Sequence, residues 1–151
     1  MKLLCDQMLG TLAKWLRIYG FDTFFPNNEI NDLELLKIAK NENRFLITRD
    51  KQLIIDARRE NLKTIEIKTT DINNQIKTVF NFIKPDKSKI LSRCILCNSN
   101  VEEIKKEDVK EKVPERVYNN NEKFWFCKNC NKIYWKGTHY EKMLDKIKNL
   151  S

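Results

Sequence analysis

Two cysteine pairs and a set of aspartates carry the chemistry that types and spacing suggest in this chain. The pairs are Cys94-Ile95-Leu96-Cys97 and Cys127-Lys128-Asn129-Cys130; the fifth cysteine, Cys5, stands apart. A C-x-x-C turn aims two thiolates at one point, and two such turns complete a tetrahedral four-sulfur site. A redox C-x-x-C accounts for either pair but not for both together. The pattern therefore points to a zinc ribbon on Cys94, Cys97, Cys127 and Cys130. Cys5 ends the strand-like run Lys2 to Cys5 and reads as a small buried apolar residue.

The aspartates are less specific. Asp6, Asp50 and Asp71 follow the first, third and fourth strand-like runs, and Asp32 opens the helix-like pattern after the second. An aspartate in such a place caps a helix, a role whose loss costs about 1 kcal/mol. It can also be a ligand, because open parallel sheets bind at the crevice beyond the carboxyl ends of their strands. Clustered carboxylates suit Mg²⁺ or Mn²⁺ better than zinc. Such ions activate water and offset the charge developing in phosphodiester hydrolysis. On residue type and spacing alone, capping and metal binding account for these aspartates equally well.

Alternating elements must hold them in place. Short apolar runs at 2–5, 21–25, 45–48 and 64–67 read as strands. Helical patterns follow each: Met8, Leu9, Leu12, Trp15, Leu16 and Tyr19; then Leu35, Leu36 and Ala39; then 51–60; then Ile72, Ile76, Val79, Phe80 and Ile83. Gly20 reads as a left-handed C-cap, and Asn31 with Glu34 as a capping box. Four alternations predict an α/β fold, a parallel sheet flanked by helices. If the crevice forms at a topological switch point, strands one and three are neighbours and Asp6 faces Asp50 across one gap. The expected division is an α/β domain over 1–86 and a zinc ribbon domain over 87–151. In the second, the charged insert from Lys105 to Lys123 reads as a loop. A closing helix from about Tyr140 to Leu150 carries Met143, Leu144, Ile147 and Leu150. With so few large apolar groups, the ribbon should depend on its metal, and losing a cysteine should unfold it while the first domain survives.

No stretch approaches the roughly 18 apolar residues of a membrane span, and the N-terminus lacks a signal-peptide pattern, so a cytoplasmic location is expected. The net charge of +8 suits either a polyanionic partner or a Lys-rich solvated surface. Lys14 and Arg17 sit on the polar side of the first helix, where they grip phosphate or are merely solvated. Arg49 could neutralise phosphate or pair with an acid. Phe124, Trp125, Tyr134 and Trp135 interleave with lysines including Lys132, an arrangement that allows base stacking, although about half of these rings should be ribbon packing. His139, the single histidine, reads as a structural or nucleic-acid-contacting residue, because four cysteines already complete a zinc site.

Several stretches resemble the Mut-seven C-terminal RNase family. They are Cys5 to Arg17 with Tyr19 to Asp22; Asp32 with Leu36 and Ala39; and Arg44 to Asp50. In the ribbon they are Arg93-Cys94, Cys97-Asn98, Pro114, Val117, Cys127, Cys130, Tyr134-Trp135 and Gly137-Thr138-His139. The resemblance covers nearly the whole chain in order. It implies a PIN-like nuclease core followed by a zinc ribbon, and a ribonuclease dependent on Mg²⁺ or Mn²⁺. It assigns the catalytic metal ligands to Asp6, Asp32 and Asp50, with Thr48 orienting a carboxylate; Asp71 is a further ligand candidate by position only. RNA is the implied partner, with Lys14, Arg17, Arg49, Lys132, Trp135 and His139 as candidate contacts. The other reading is an RNA-binding adapter whose acidic site is weak or vestigial.

Overall fold

A computed structural model describes residues 1–150, leaving out the side chains of His139, Met143, Ile147 and Leu150. The first half alternates as expected: β1 (Lys2–Cys5), α1 (Gly10–Ile18), β2 (Asp22–Phe24), α2 (Asp32–Asn41), β3 (Phe45–Thr48), α3 (Lys51–Arg59), β4 (Thr64–Glu66) and α4 (Ile72–Phe82). The four strands form one parallel sheet in the order β2-β1-β3-β4. The order reverses beside β1, and β1 and β3 are neighbours, with Cys5 opposite Ile47.

The helices cover both faces because each carries one apolar stripe. Leu12, Ala13 and Leu16 of α1 and Ile76, Val79 and Phe80 of α4 bury against Leu3, Cys5, Ile47 and Ile65. On the opposite face, Leu35, Leu36 and Ala39 of α2 and Leu53 and Ala57 of α3 bury against Leu4 and Leu46. Strands buried on both faces read as continuous apolar runs, which is the pattern of this sheet. Met8 departs from its expected place on the α1 stripe. Gln7–Leu9 forms a 3₁₀ turn rather than the first turn of the α-helix, which changes the phase and leaves Met8 68% exposed. Gly20 ends α1 at φ +91°, and a Cβ there would clash with the Lys89 carbonyl oxygen, so only glycine fits.

The second half contains β5 (Glu102–Ile104), α5 (Glu115–Asn120), β6 (Phe124–Cys127), β7 (Lys132–Trp135) and α6 (Thr138–Leu150). The three strands form an antiparallel sheet in that order. The Lys105 to Lys123 insert is not simply a loop. It holds a 3₁₀ turn at Lys106–Val109 as well as α5, with Val109 fully buried and Lys106 lying 4.9 Å from the Tyr118 ring centre. Its charged sequence has no long apolar stripe, and these local anchors supply the order instead. From α6, Tyr140 and Leu144 pack against the first core, and the helix contacts α4. The expected contributions of Met143, Ile147 and Leu150 lie outside the described side chains. No helix among the described residues is long and apolar enough to cross a membrane.

Candidate active site and metal centre

At the carboxyl edge of β1, Asp6 turns its side chain back into the protein and is only 6% exposed. One carboxylate oxygen accepts the Met8 N–H at 3.0 Å, and the other accepts the Thr48 hydroxyl from the end of β3. Thr48 Oγ1 in turn accepts the Asp50 N–H at 3.0 Å. The neighbouring strands are thus joined by an Asp6–Thr48–Asp50 relay, and the expected role of Thr48 in orienting a carboxylate is visible. Burial raises the Asp6 pKa; hydrogen bonds from Thr48 and Met8 oppose the rise, and the charges of Asp50 and Asp32 add to it. The three aspartates are therefore close enough to interact electrostatically.

Asp50 does cap α3. Its Oδ1 accepts the N–H groups of Gln52 at 2.9 Å and Leu53 at 3.2 Å. Only one oxygen is used in this way, so the cap leaves the other for a ligand. Asp32 is the exposed first residue of α2, and the cap there is Asn31, which accepts the Glu34 N–H at 2.9 Å. Asp71 caps α4 through Asn74 N at 2.9 Å and lines, with Met8, Thr11 and Arg49, a cavity of about 440 Å³. Among the described residues, only the four cysteines form a group of three or more potential metal ligands with all ligand atoms within 4.8 Å of one another. The all-oxygen donor set of Asp6, Asp32 and Asp50 fits a hard divalent ion.

The basic candidates divide. Lys14 is exposed on α1, as expected. Arg17 is not available for phosphate. It is 6% exposed, and its guanidinium donates to the carbonyls of Thr23 at 2.9 Å, Ile95 at 2.9 Å and Leu96 at 3.3 Å. It clamps the first cysteine turn onto α1 and β2. Nearby, Asn98 accepts the Thr23 N–H at 2.9 Å and donates to Asp22 at 2.7 Å, while Asp22 pairs with Arg44 at 2.8 Å. Burial works against the Asp22 charge, yet Arg44 and Asn98 hold its pKa below the usual value. Arg49 is half-buried, and its Nε is buried with no partner among the described residues.

The cysteine centre is built from two matching turns. Asn98 N–H donates to Cys94 O at 2.9 Å and Asn131 N–H to Cys127 O at 2.8 Å, with both asparagines left-handed at φ 70° and 55°. The four sulfurs gather within 4.8 Å, compatible with the roughly 3.8 Å sulfur spacing that tetrahedral Zn–S bonds of ~2.3 Å impose. The Tyr134 hydroxyl lies 3.0 Å from Cys94 Sγ and accepts the Ile95 N–H at 3.2 Å. That outer contact would orient a metal-binding thiolate, a role the sequence did not reveal. Of the four ribbon aromatics Phe124 is fully buried, while Trp125, Tyr134 and Trp135 are half-buried. Lys132 and Trp135 line a groove of about 740 Å³ together with Arg116 and Lys136. The side chain of His139 lies outside the described residues.

A family model, the Mut7-C RNAse domain, matches residues 1–147. The chain belongs to the Mut7-C RNAse domain family. No curated protein and no solved structure matches it. Membership in the Mut7-C family supports a nuclease role on RNA. Two groups of residues quoted for the Mut-seven resemblance serve different ends in the fold. Asp6, Thr48 and Asp50 meet at the carboxyl edge of the sheet, whereas Arg17, Asp22, Arg44, Arg93 and Asn98 form the seam between sheet and ribbon. The Arg44, Asp22 and Arg93 roles had no signal beyond their place in the motif stretches, because their partners are distant in sequence.

Proposed function

We propose that this chain is a ribonuclease dependent on Mg²⁺ or Mn²⁺, with Asp6, Asp32 and Asp50 as the metal ligands and catalytic acids. The observation that carries the reading is the buried Asp6, held by Thr48 and Met8 beside the charges of Asp50 and Asp32. Burying a carboxylate near two others is unfavourable for folding, and perturbed acids of this kind concentrate at functional sites. A bound divalent ion would lower the pKa of a water and offset charge on the scissile phosphate. Thr48 fixes the Asp6 carboxylate, and the Asp50 cap fixes its own carboxylate on α3. Asp32, in the first turn of α2, would complete the set from the neighbouring helix. In this reading residues 1–86 carry the chemistry, Cys94, Cys97, Cys127 and Cys130 hold zinc, and the Lys132–Trp135 groove helps to retain RNA.

The test is cleavage of a labelled RNA with Mn²⁺ or Mg²⁺, with and without EDTA, by the wild type and Asp50→Asn. Asparagine caps about as well as aspartate, so the variant should keep its melting temperature. Its cleavage should fall by roughly a hundredfold or more if a ligand charge has been lost. Asp6→Asn should lose cleavage similarly, and the double variant should be little worse than either single, as expected for groups acting as a unit. Equal cleavage by wild type and Asp50→Asn would overturn the assignment. EDTA-insensitive binding without any cleavage would establish the RNA adapter instead.

A further inference from the structure

Beside the aspartates, on the α3–β4 side of the sheet edge, lies a cavity of about 510 Å³ walled by Arg49, Lys51, Arg58 and Lys68, with Glu66 as its acid. Its apolar part is Ile54, Ile55 and Ile67, of which Ile55 is 44% exposed. Four cations against one carboxylate give this wall a strong positive excess. Arg49 also lines the cavity on the other flank, beside Asp71, so one side chain borders both hollows. Its Nε is one of two buried side-chain donors without a partner among the described residues; the other, the Tyr19 hydroxyl, lies in the first core away from this cavity. An orphaned buried donor is costly, and an anion that reaches it removes the cost.

We propose that this cavity is a nucleotide subsite for the RNA chain flanking the cleaved bond, with Arg49 and Lys51 receiving the phosphate beside the aspartates, Arg58 and Lys68 the phosphates beyond it, and Ile55 underlying a base. The inference rests on the ribonuclease reading for the position of the cleaved bond, but the cavity's own charge and lining carry the binding. Lys51 follows Asp50 directly and Arg49 precedes it, so a phosphate held between them is adjacent to the aspartates. Arg58 and Lys68 lie farther along the same wall, on α3 and just beyond β4, and extend the cationic path away from the site. The half-open hollow leaves room for a nucleotide, and the exposed Ile55 offers one apolar face of the kind a base covers.

The experiment measures binding without added Mg²⁺ or Mn²⁺ and without a chelator, so that RNA is held uncut while zinc on the four cysteines is not stripped. The probe is a short fluorescein-labelled single-stranded RNA, and its anisotropy is followed across a salt series. Arg58→Ala/Lys68→Ala removes two phosphate contacts and should lower the log–log salt slope by about 1.4, at about 0.7 per contact on single strands. Affinity at low salt should fall by roughly tenfold or more. Lys77→Ala, an exposed lysine on α4 that lines none of these cavities, should leave the slope nearly unchanged. Equal slopes and affinities for the double variant and wild type would overturn the subsite, as would absence of RNA binding by the wild type. A wild type that binds and shows the slope change, yet never cleaves, would keep the subsite and remove the ribonuclease reading. Cleavage by a wild type whose binding ignores Arg58 and Lys68 would do the reverse.

Discussion

At the scale of the residue, Asp6 is the point where folding and chemistry oppose each other. Burial raises its pKa above the ordinary 3.8, and Asp50 and Asp32 push in the same direction. The native protein therefore holds a proton on Asp6 at pH values where the unfolded chain has already released it. Stability from this acid is fully present below the unfolded value and falls as pH rises through the higher native value. Once ionised, the group is a burden on the fold unless a cation shares its charge. Asp6→Asn should therefore melt no lower than the wild type near neutrality and should show a shallower loss of stability as pH rises above the unfolded value. Mn²⁺ should raise the wild-type Tm by mass action and leave Asp6→Asn nearly unmoved. Thermal melts across pH, with and without Mn²⁺, check both statements. A variant that melts several degrees below the wild type at pH 7 would show Asp6 to be a structural acid.

At the scale of the element, the parallel sheet was legible because buried strands and amphipathic helices leave different periods in the sequence. The 45–48 run became β3 and the 51–60 pattern became α3, each within a residue of its expected ends. The adjacency of β1 and β3, with Asp6 and Asp50 at their carboxyl ends, was also foreseeable from the switch-point rule. Arg17 was not legible. Helical spacing put it on a polar face, and the carbonyls that bury it lie 78 and 79 residues farther along the chain. Periodicity records which way a side chain points, not what arrives later to cover it. The consequence is measurable. Arg17→Ala should destabilise the protein by on the order of 3 kcal/mol, because it leaves buried carbonyls without their charged donor. The salt slope of RNA binding should be unchanged, since this guanidinium is already committed. Chemical denaturation gives the first quantity and anisotropy the second. A stable Arg17→Ala with a reduced salt slope would return Arg17 to the role of a phosphate contact.

At the scale of the whole molecule, the ribbon and the sheet are not independent bodies joined by a linker. The first cysteine turn is tied to α1 and β2 by Arg17, and Asn98 satisfies an N–H of β2, an edge strand of the parallel sheet. Farther along, α6 returns to α4, Tyr140 and Leu144 join the first core, and Lys146 Nζ lies 4.1 Å from the Trp15 ring centre. The chain therefore crosses from the first part to the second and back again. This changes the expectation that the α/β part survives loss of the ribbon. Zinc on the four cysteines would fix the turn whose carbonyls Arg17 needs, so removing it weakens the seam as well as the ribbon. Cys97→Ser, or chelation of the intact protein, should lower the melting temperature of the α/β part itself rather than reveal an unchanged second transition. Calorimetry distinguishes the outcomes: coupled parts give one transition with equal calorimetric and van't Hoff enthalpies, and independent parts give two. Trp15 sits on α1 and supplies a second reading from within the α/β part, although Trp125 and Trp135 in the ribbon must first be changed to phenylalanine. If its fluorescence reports the same melting temperature before and after chelation, the seam transmits nothing and the ribbon is an independent unit.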